Sequence, residues 1–127
     1  MRQVSLNRQA KMRRCGPGRQ AFVKAAVTCM CCVYSPADQC HEMARGIHRD
    51  KALEDRRTWL ATCWLCNCFE LTDAKKWPLP RQLALKWIYD RDYFDLEGFN
   101  VLRGRAPGAI SMSEVVLHVC RLLDGGN

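Results

Sequence analysis

At 127 residues and 48% hydrophobic composition, the chain suits one domain with a modest core. No apolar run approaches the roughly 18 to 20 residues that cross a bilayer, and the first residues lack the apolar centre of an export signal, so the expectation is a cytoplasmic protein with no membrane partner. The net charge of +7 is concentrated in Arg2, Arg8, Lys11, Arg13, Arg14, Arg19 and Lys24, which stand before the first acid, Asp38. A basic arm on a neutral body suits an anionic polymer, DNA first, better than a small substrate.

Residues 1–20 are polar, lack apolar periodicity and are interrupted by Gly16-Pro17-Gly18, which predicts a flexible arm. Its Arg8, Lys11, Arg13, Arg14 and Arg19 either neutralise phosphates or keep the chain soluble. Cys15 reads as an unpaired thiol. Ala21 to Val27 is a short apolar run that fits a strand or a helical turn equally well. Next come two matched knuckles, Cys29-Met-Cys-Cys32 and Cys63-Trp-Leu-Cys66. A Cys-x-x-Cys turn spans one edge of a tetrahedron about Zn²⁺, and two such turns close the shell, so Cys29, Cys32, Cys63 and Cys66 are the predicted ligands of one structural zinc. An odd count of nine cysteines without an export signal favours metal over disulfides. Cys29-x-Cys31 and Cys66-x-Cys68 are rival pairs of a less common spacing. Cys31, Cys40 and Cys68 otherwise read as knuckle neighbours or small apolar residues.

Between the knuckles, Tyr34 to Asp38 is turn-forming, and the following segment carries Cys40, His41 and Glu42 to the end of a strand. His41 and Glu42 are adjacent, so in an extended chain they face opposite sides. Ile47 to Arg57 is a charged loop or short helix. Thr58 to Thr62 is a strand that delivers the second knuckle, and a helix is predicted from Cys66 with Asn67 on its first turn, facing the hairpin. The last third is helical. Pro78 and Pro80 start one helix with Leu79, Leu83, Ala84, Trp87 and Ile88 on one face; Asp95 caps a second, ended by Gly104; Ser111 and Glu114 form a capping box for a third. That third helix is expected to bury Met112, Val115, Val116, Val119 and Leu123, with Cys120 packed and His118 at the surface.

A Cys-x-x-Cys, a histidine-bearing strand end and a Cys-x-x-Cys opening a helix resemble the zinc-containing HNH nucleases, the ββα-metal class. His41-Glu-Met-Ala-Arg-Gly46 is closest to a phage-encoded subset with a His-Glu pair. The resemblance covers about residues 29 to 71, and less specifically the helical tail. It implies an α+β fold: a treble-clef-like zinc core over 21–76, with a helical extension over 77–127 packed upon it. It also implies DNA cleavage with Mg²⁺ or Mn²⁺ held around His41, Glu42 and Asn67, with Arg45 added to the DNA-binding set. This chain departs from the family at Glu42, where the family keeps its base histidine, and at Asn67, where it keeps a metal-binding histidine; His48 is the nearest substitute. The alternative is a catalytically inactive zinc-dependent DNA-binding or adaptor protein of a phage assembly.

Overall fold

The computed structural model describes residues 6–44, 49–103 and 108–125, without the side chains of Asp50 and Lys51. It is an α+β fold: a two-stranded antiparallel sheet, β1 (Gln39–Glu42) and β2 (Trp59–Thr62), with helices α1 (Leu6–Ala26), α2 (Arg49–Ala52), α3 (Leu79–Tyr89), α4 (Leu96–Leu102) and α5 (Met112–Leu123).

The segment expected to be a flexible arm is most of α1. Its alanines, arginines and glutamine favour helix, but Pro17 removes the amide that would bond to the carbonyl of Arg13, and a proline inside a helix costs about 3 kcal/mol. Contacts far along the chain offset that cost. Phe22 and Val23 are buried, and Phe22 meets Trp59 of β2 with ring centroids 5.7 Å apart. Arg19 is buried as well, donating to the carbonyls of Leu53 and Cys40 at 3.3 Å, with its guanidinium over the Trp59 ring. Arg14 pairs with Glu54 at 3.0 Å. The apolar run 21–27 is therefore the last part of this helix, packed inward through Phe22 and Val23; the helix ends at Ala26 and the exposed Val27 follows in the left-handed region (φ 67°).

The hairpin register sets both knuckles side by side. Gln39 faces Thr62 and Glu42 faces Trp59, so the residues leading into β1 and the residue leaving β2 share one end of the sheet. The Asp38 amide donates to the Thr62 carbonyl at 2.9 Å and the Met30 amide to the Ala61 carbonyl at 2.8 Å, stitching the first knuckle to β2. All four β2 residues are buried, between α1 and α3.

The helix expected from Cys66 is a single wide turn, Cys66–Glu70, closed by the Leu71 amide donating to the Cys66 carbonyl at 2.9 Å. Asp73 ends it. Its carboxylate accepts from the backbone amides of Lys75 and Lys76, a local turn that competes with continued helix. The tail helices begin where their caps predict: Pro78 precedes α3, Asp95 accepts from the Gly98 amide at 2.9 Å, and Ser111 and Glu114 make the full capping box of α5. A Cβ at Gly98 would displace the Arg57 guanidinium that pairs with Asp95 at 2.8 Å. α3 is buried over five successive residues, Gln82 to Lys86, lying between the sheet and α5. α5 buries less than its pattern suggested. Val115 and Val119 are inside, whereas Met112, Val116, Leu123 and Cys120 are exposed and His118 is half-buried. Gly104 lies outside the described residues.

Candidate metal centre and adjoining cleft

Cys29, Cys32, Cys63 and Cys66 bring their four sulfurs within 4.8 Å of one another. A tetrahedral ion bonded to sulfur at about 2.3 Å needs sulfurs about 3.8 Å apart, so a small contraction closes the shell. Cys29, Cys63 and Cys66 are buried, and the first knuckle aims backbone amides at its thiols: that of Cys31 lies 3.4 Å from Cys29 Sγ. Burial raises the Cys29 and Cys66 thiols. At Cys32 the burial effect is outweighed by the amides of Tyr34 and Ser35, and its thiol falls to about 6. Cys31 is held beside Cys66 as a fifth thiol that burial pushes to about 12, and it lies outside the set of four mutually close sulfurs. Cys68 is exposed.

Val33 follows the last ligand of this knuckle with φ 68°, and its amide donates to the Cys29 carbonyl at 2.9 Å. A β-branched residue in the left-handed region costs about 1–2 kcal/mol, while glycine adopts it freely at an entropic cost of about 0.5–1 kcal/mol. Val33 is half-exposed, so little burial is lost on truncation. Val33→Gly should therefore raise the midpoint of thermal unfolding of the metal-loaded protein by roughly 2–4 °C. A lower midpoint would mean that Val33 is not strained.

The cleft beside this centre encloses about 310 Å³ and is lined by Cys40, His41, Glu42, Ala44, Arg49, Asn67 and Thr72. It unites the three residues singled out from sequence. His41 and Glu42 do diverge from β1. His41 is buried, with Nδ1 2.9 Å from Oδ1 of Asn67 and Nε2 2.9 Å from Oε1 of Gln82 on α3. The amide group of Gln82 donates to the carbonyls of Trp77 (2.9 Å) and Leu71 (3.2 Å), which fixes its oxygen toward the ring. An amide oxygen only accepts, so Nε2 of His41 carries a proton. The Asn67 contact is satisfied by an imidazolium, or by a neutral ring once the amide turns its NH₂ inward. In that neutral ring, Nδ1 is the basic nitrogen.

Glu42 has a different setting from the one expected of a metal ligand or base. Its carboxylate is 3.2 Å from Arg8 of α1, 3.2 Å from Arg49 of α2 and 3.7 Å from Arg19. Burial pushes this carboxyl up, but the three guanidiniums outweigh burial and hold it below its ordinary range. Of the three, only Arg49 lines the cleft; Arg8 and Arg19 are largely enclosed. Cys40, next to His41, is pushed up to about 11 by burial, so it is no thiolate nucleophile.

The cations called for DNA divide. Arg19 is buried and structural, Arg8 is largely enclosed against Glu42, and Arg14 is paired with Glu54. Arg13 is exposed and Lys11 half-buried. Arg45 and His48 lie outside the described residues. Sequence reasoning missed Gln82 and Arg49: the one is a glutamine on an apolar helical face, the other one charge among many. Comparison of the chain with family models, with curated proteins and with solved structures finds no match.

Proposed function

We propose that this chain is a zinc-stapled, HNH-like DNA-binding domain whose cleft seats a backbone phosphate. Zinc is the metal a closed set of four thiolates selects, and it serves here as a staple, since four sulfurs leave no position for water or substrate. The single observation that carries the phosphate reading is Arg49, which lines the cleft with about half of its side chain exposed, beside a Glu42 carboxylate that the enclosed Arg8 and Arg19 also pair. A phosphate oxygen entering there meets the Arg49 guanidinium, a donor suited to it. The +7 charge of the chain draws the polymer in.

The same cluster does not fit the hard divalent cation that the resemblance to HNH nucleases implies. Its donors would be His41, Asn67 and Glu42, but the only carboxylate among them is already neutralised by three cations. No step through such an ion is derived. Hydrolysis is the second reading, and the observation favouring it is His41: Gln82 fixes its tautomer so that the neutral ring would aim its basic nitrogen at the cleft wall formed by Asn67.

Binding and nicking assays on three variants separate the two. If the cleft seats phosphate, Glu42→Gln removes the competing anion and should tighten DNA binding about three- to tenfold at low salt, whereas Arg49→Ala should weaken it and lower the salt slope by about 1. If the cleft cleaves, plasmid nicking should appear in the parent and vanish in His41→Ala. Weaker binding by Glu42→Gln, with zinc content unchanged, would refute the phosphate seat.

A further inference from the structure

The metal centre holds one thiol more than a tetrahedral ion uses. Cys31 packs against the buried cluster of Cys29, Cys63 and Cys66, and its thiol is in side-chain contact with the Cys66 sulfur. Cys66 is buried, while Cys31 is half-buried and within reach of solvent. The four ligands are engaged by an ion when it is bound, so Cys31 is the thiol at the centre that can bond to another sulfur without itself leaving the metal. That sets it apart from the ligands. Ligand sulfurs sit about 3.8 Å apart around the ion, nearly twice the length of a disulfide bond of about 2.05 Å, so joining two ligands strips both from the shell. Joining Cys31 to Cys66 strips only one.

We infer that Cys31 makes this centre a redox switch: a hydroperoxide converts Cys31 and Cys66 to a disulfide, which leaves three thiolates at the centre and lets the metal go. In the first step the Cys66 thiolate attacks a peroxide oxygen, so that an S–O bond forms, the O–O bond breaks and hydroxide leaves. The product is a sulfenic acid. In the second step the Cys31 sulfur attacks the Cys66 sulfur; the S–S bond forms, the S–O bond breaks, and the departing hydroxide carries the Cys31 proton away as water. Each sulfur gives up one electron, and the two peroxide oxygens take them. A disulfide sulfur is neutral and no longer a thiolate donor, so the second step is the one that ends the service of Cys66 as a ligand. Cys66 also begins the wide turn that carries Asn67, a wall of the cleft. Oxidation therefore releases the staple and the cleft wall together. The inference rests on the zinc reading above and is independent of what the cleft binds.

The test treats the full zinc-loaded chain with hydrogen peroxide, follows free zinc with a chromogenic chelator, and maps disulfides by mass spectrometry of peptides. The parent should release its zinc with a Cys31–Cys66 disulfide as the main product, and a thiol reductant with fresh zinc should restore the folded chain. Cys31→Ser and Cys31→Ala should load the same zinc but release it about tenfold more slowly, because oxidation of Cys66 then lacks its resolving thiol. Cys68→Ser, at an exposed thiol of the same turn, should release zinc at the parent's rate. Zinc content and far-UV circular dichroism before oxidation establish that the variants fold; should neither Cys31 variant load zinc, the disulfide map of the parent decides alone. Release at the parent's rate by both Cys31 variants, or disulfides that join the four ligands to one another and spare Cys31, would overturn the switch and leave the staple standing. A purified chain that holds no zinc overturns both.

Discussion

Stripping the metal with a strong chelator, or replacing Cys66 by serine, should unfold the whole chain and not one corner of it. The four thiols come from two segments more than thirty residues apart, and between them they fix the entry to β1, the exit of β2 and the turn that carries Asn67. Away from that centre the sheet has only two strands of four residues, too little to stand alone in water. Structural zinc supplies on the order of 10 kcal/mol in small metal-folded peptides, against a total of about 5–15 kcal/mol for a domain. Purified protein should carry one zinc per chain, and Cys66→Ser should give a disordered far-UV spectrum. The exposed Cys68 and Cys120 are the controls, because serine there should change neither zinc content nor fold. A chelated protein that keeps its near-UV signal would show that the apolar core holds the fold unaided.

Features decided within a few residues were legible in the sequence. The knuckles are written as Cys-x-x-Cys, the tail helices begin at Pro78, Asp95 and Ser111, and alternation along β1 separated His41 from Glu42. Features decided at long range were not. A Gly-Pro-Gly interruption argues against helix locally, and α1 forms through burial of Arg19, Phe22 and Val23 against residues Cys40, Leu53 and Trp59. Glu42 beside a histidine resembles a ligand until α1 and α2 bring arginines from 34 and 7 residues away. Gln82, which meets Nε2 of His41, is 41 residues distant from it and looks in sequence like any helical glutamine. α5 misled in the opposite way: its apolar stripe is wider than the face α3 covers, so only Val115 and Val119 of the five expected residues are inside.

The second large effect should come from Lys86, a fully buried residue that reads in sequence as an ordinary helical lysine. Its ammonium has three hydrogens and three acceptors: the carbonyls of Arg56 (2.7 Å) and Trp59 (2.8 Å), and the carboxylate of Asp90 one turn along α3. The Phe22 ring lies 5.0 Å away. One side chain thus ties β2 and the turn before it to α3, next to the end of α1. Burial lowers the Lys86 ammonium from its usual range, and the Asp90 pair opposes that. Asp90 itself is pushed up by burial, yet Arg56 and Lys86 together hold it below the ordinary carboxylate value. Lys86→Met preserves the volume but takes the ammonium from the buried Trp59 carbonyl, leaves the Arg56 carbonyl with the Trp59 amide only and leaves Asp90 with Arg56 alone. Removing one partner of a buried pair costs about 3–5 kcal/mol, so the variant should unfold at much lower urea, or fail to fold, with its zinc ligands intact. Asp90→Asn should cost less, and the double variant should recover at least about 1 kcal/mol relative to the sum, since the two groups act as one unit. The sign with pH is fixed as well. A carboxyl lowered in the folded state adds stability above its unfolded pKa and loses it as pH falls through the folded value, so Asp90→Asn should flatten the acid limb of the stability curve below about pH 4. If Lys86→Met matches the parent in urea and Asp90→Asn leaves the acid limb unchanged, the buried ammonium does not tie these elements together.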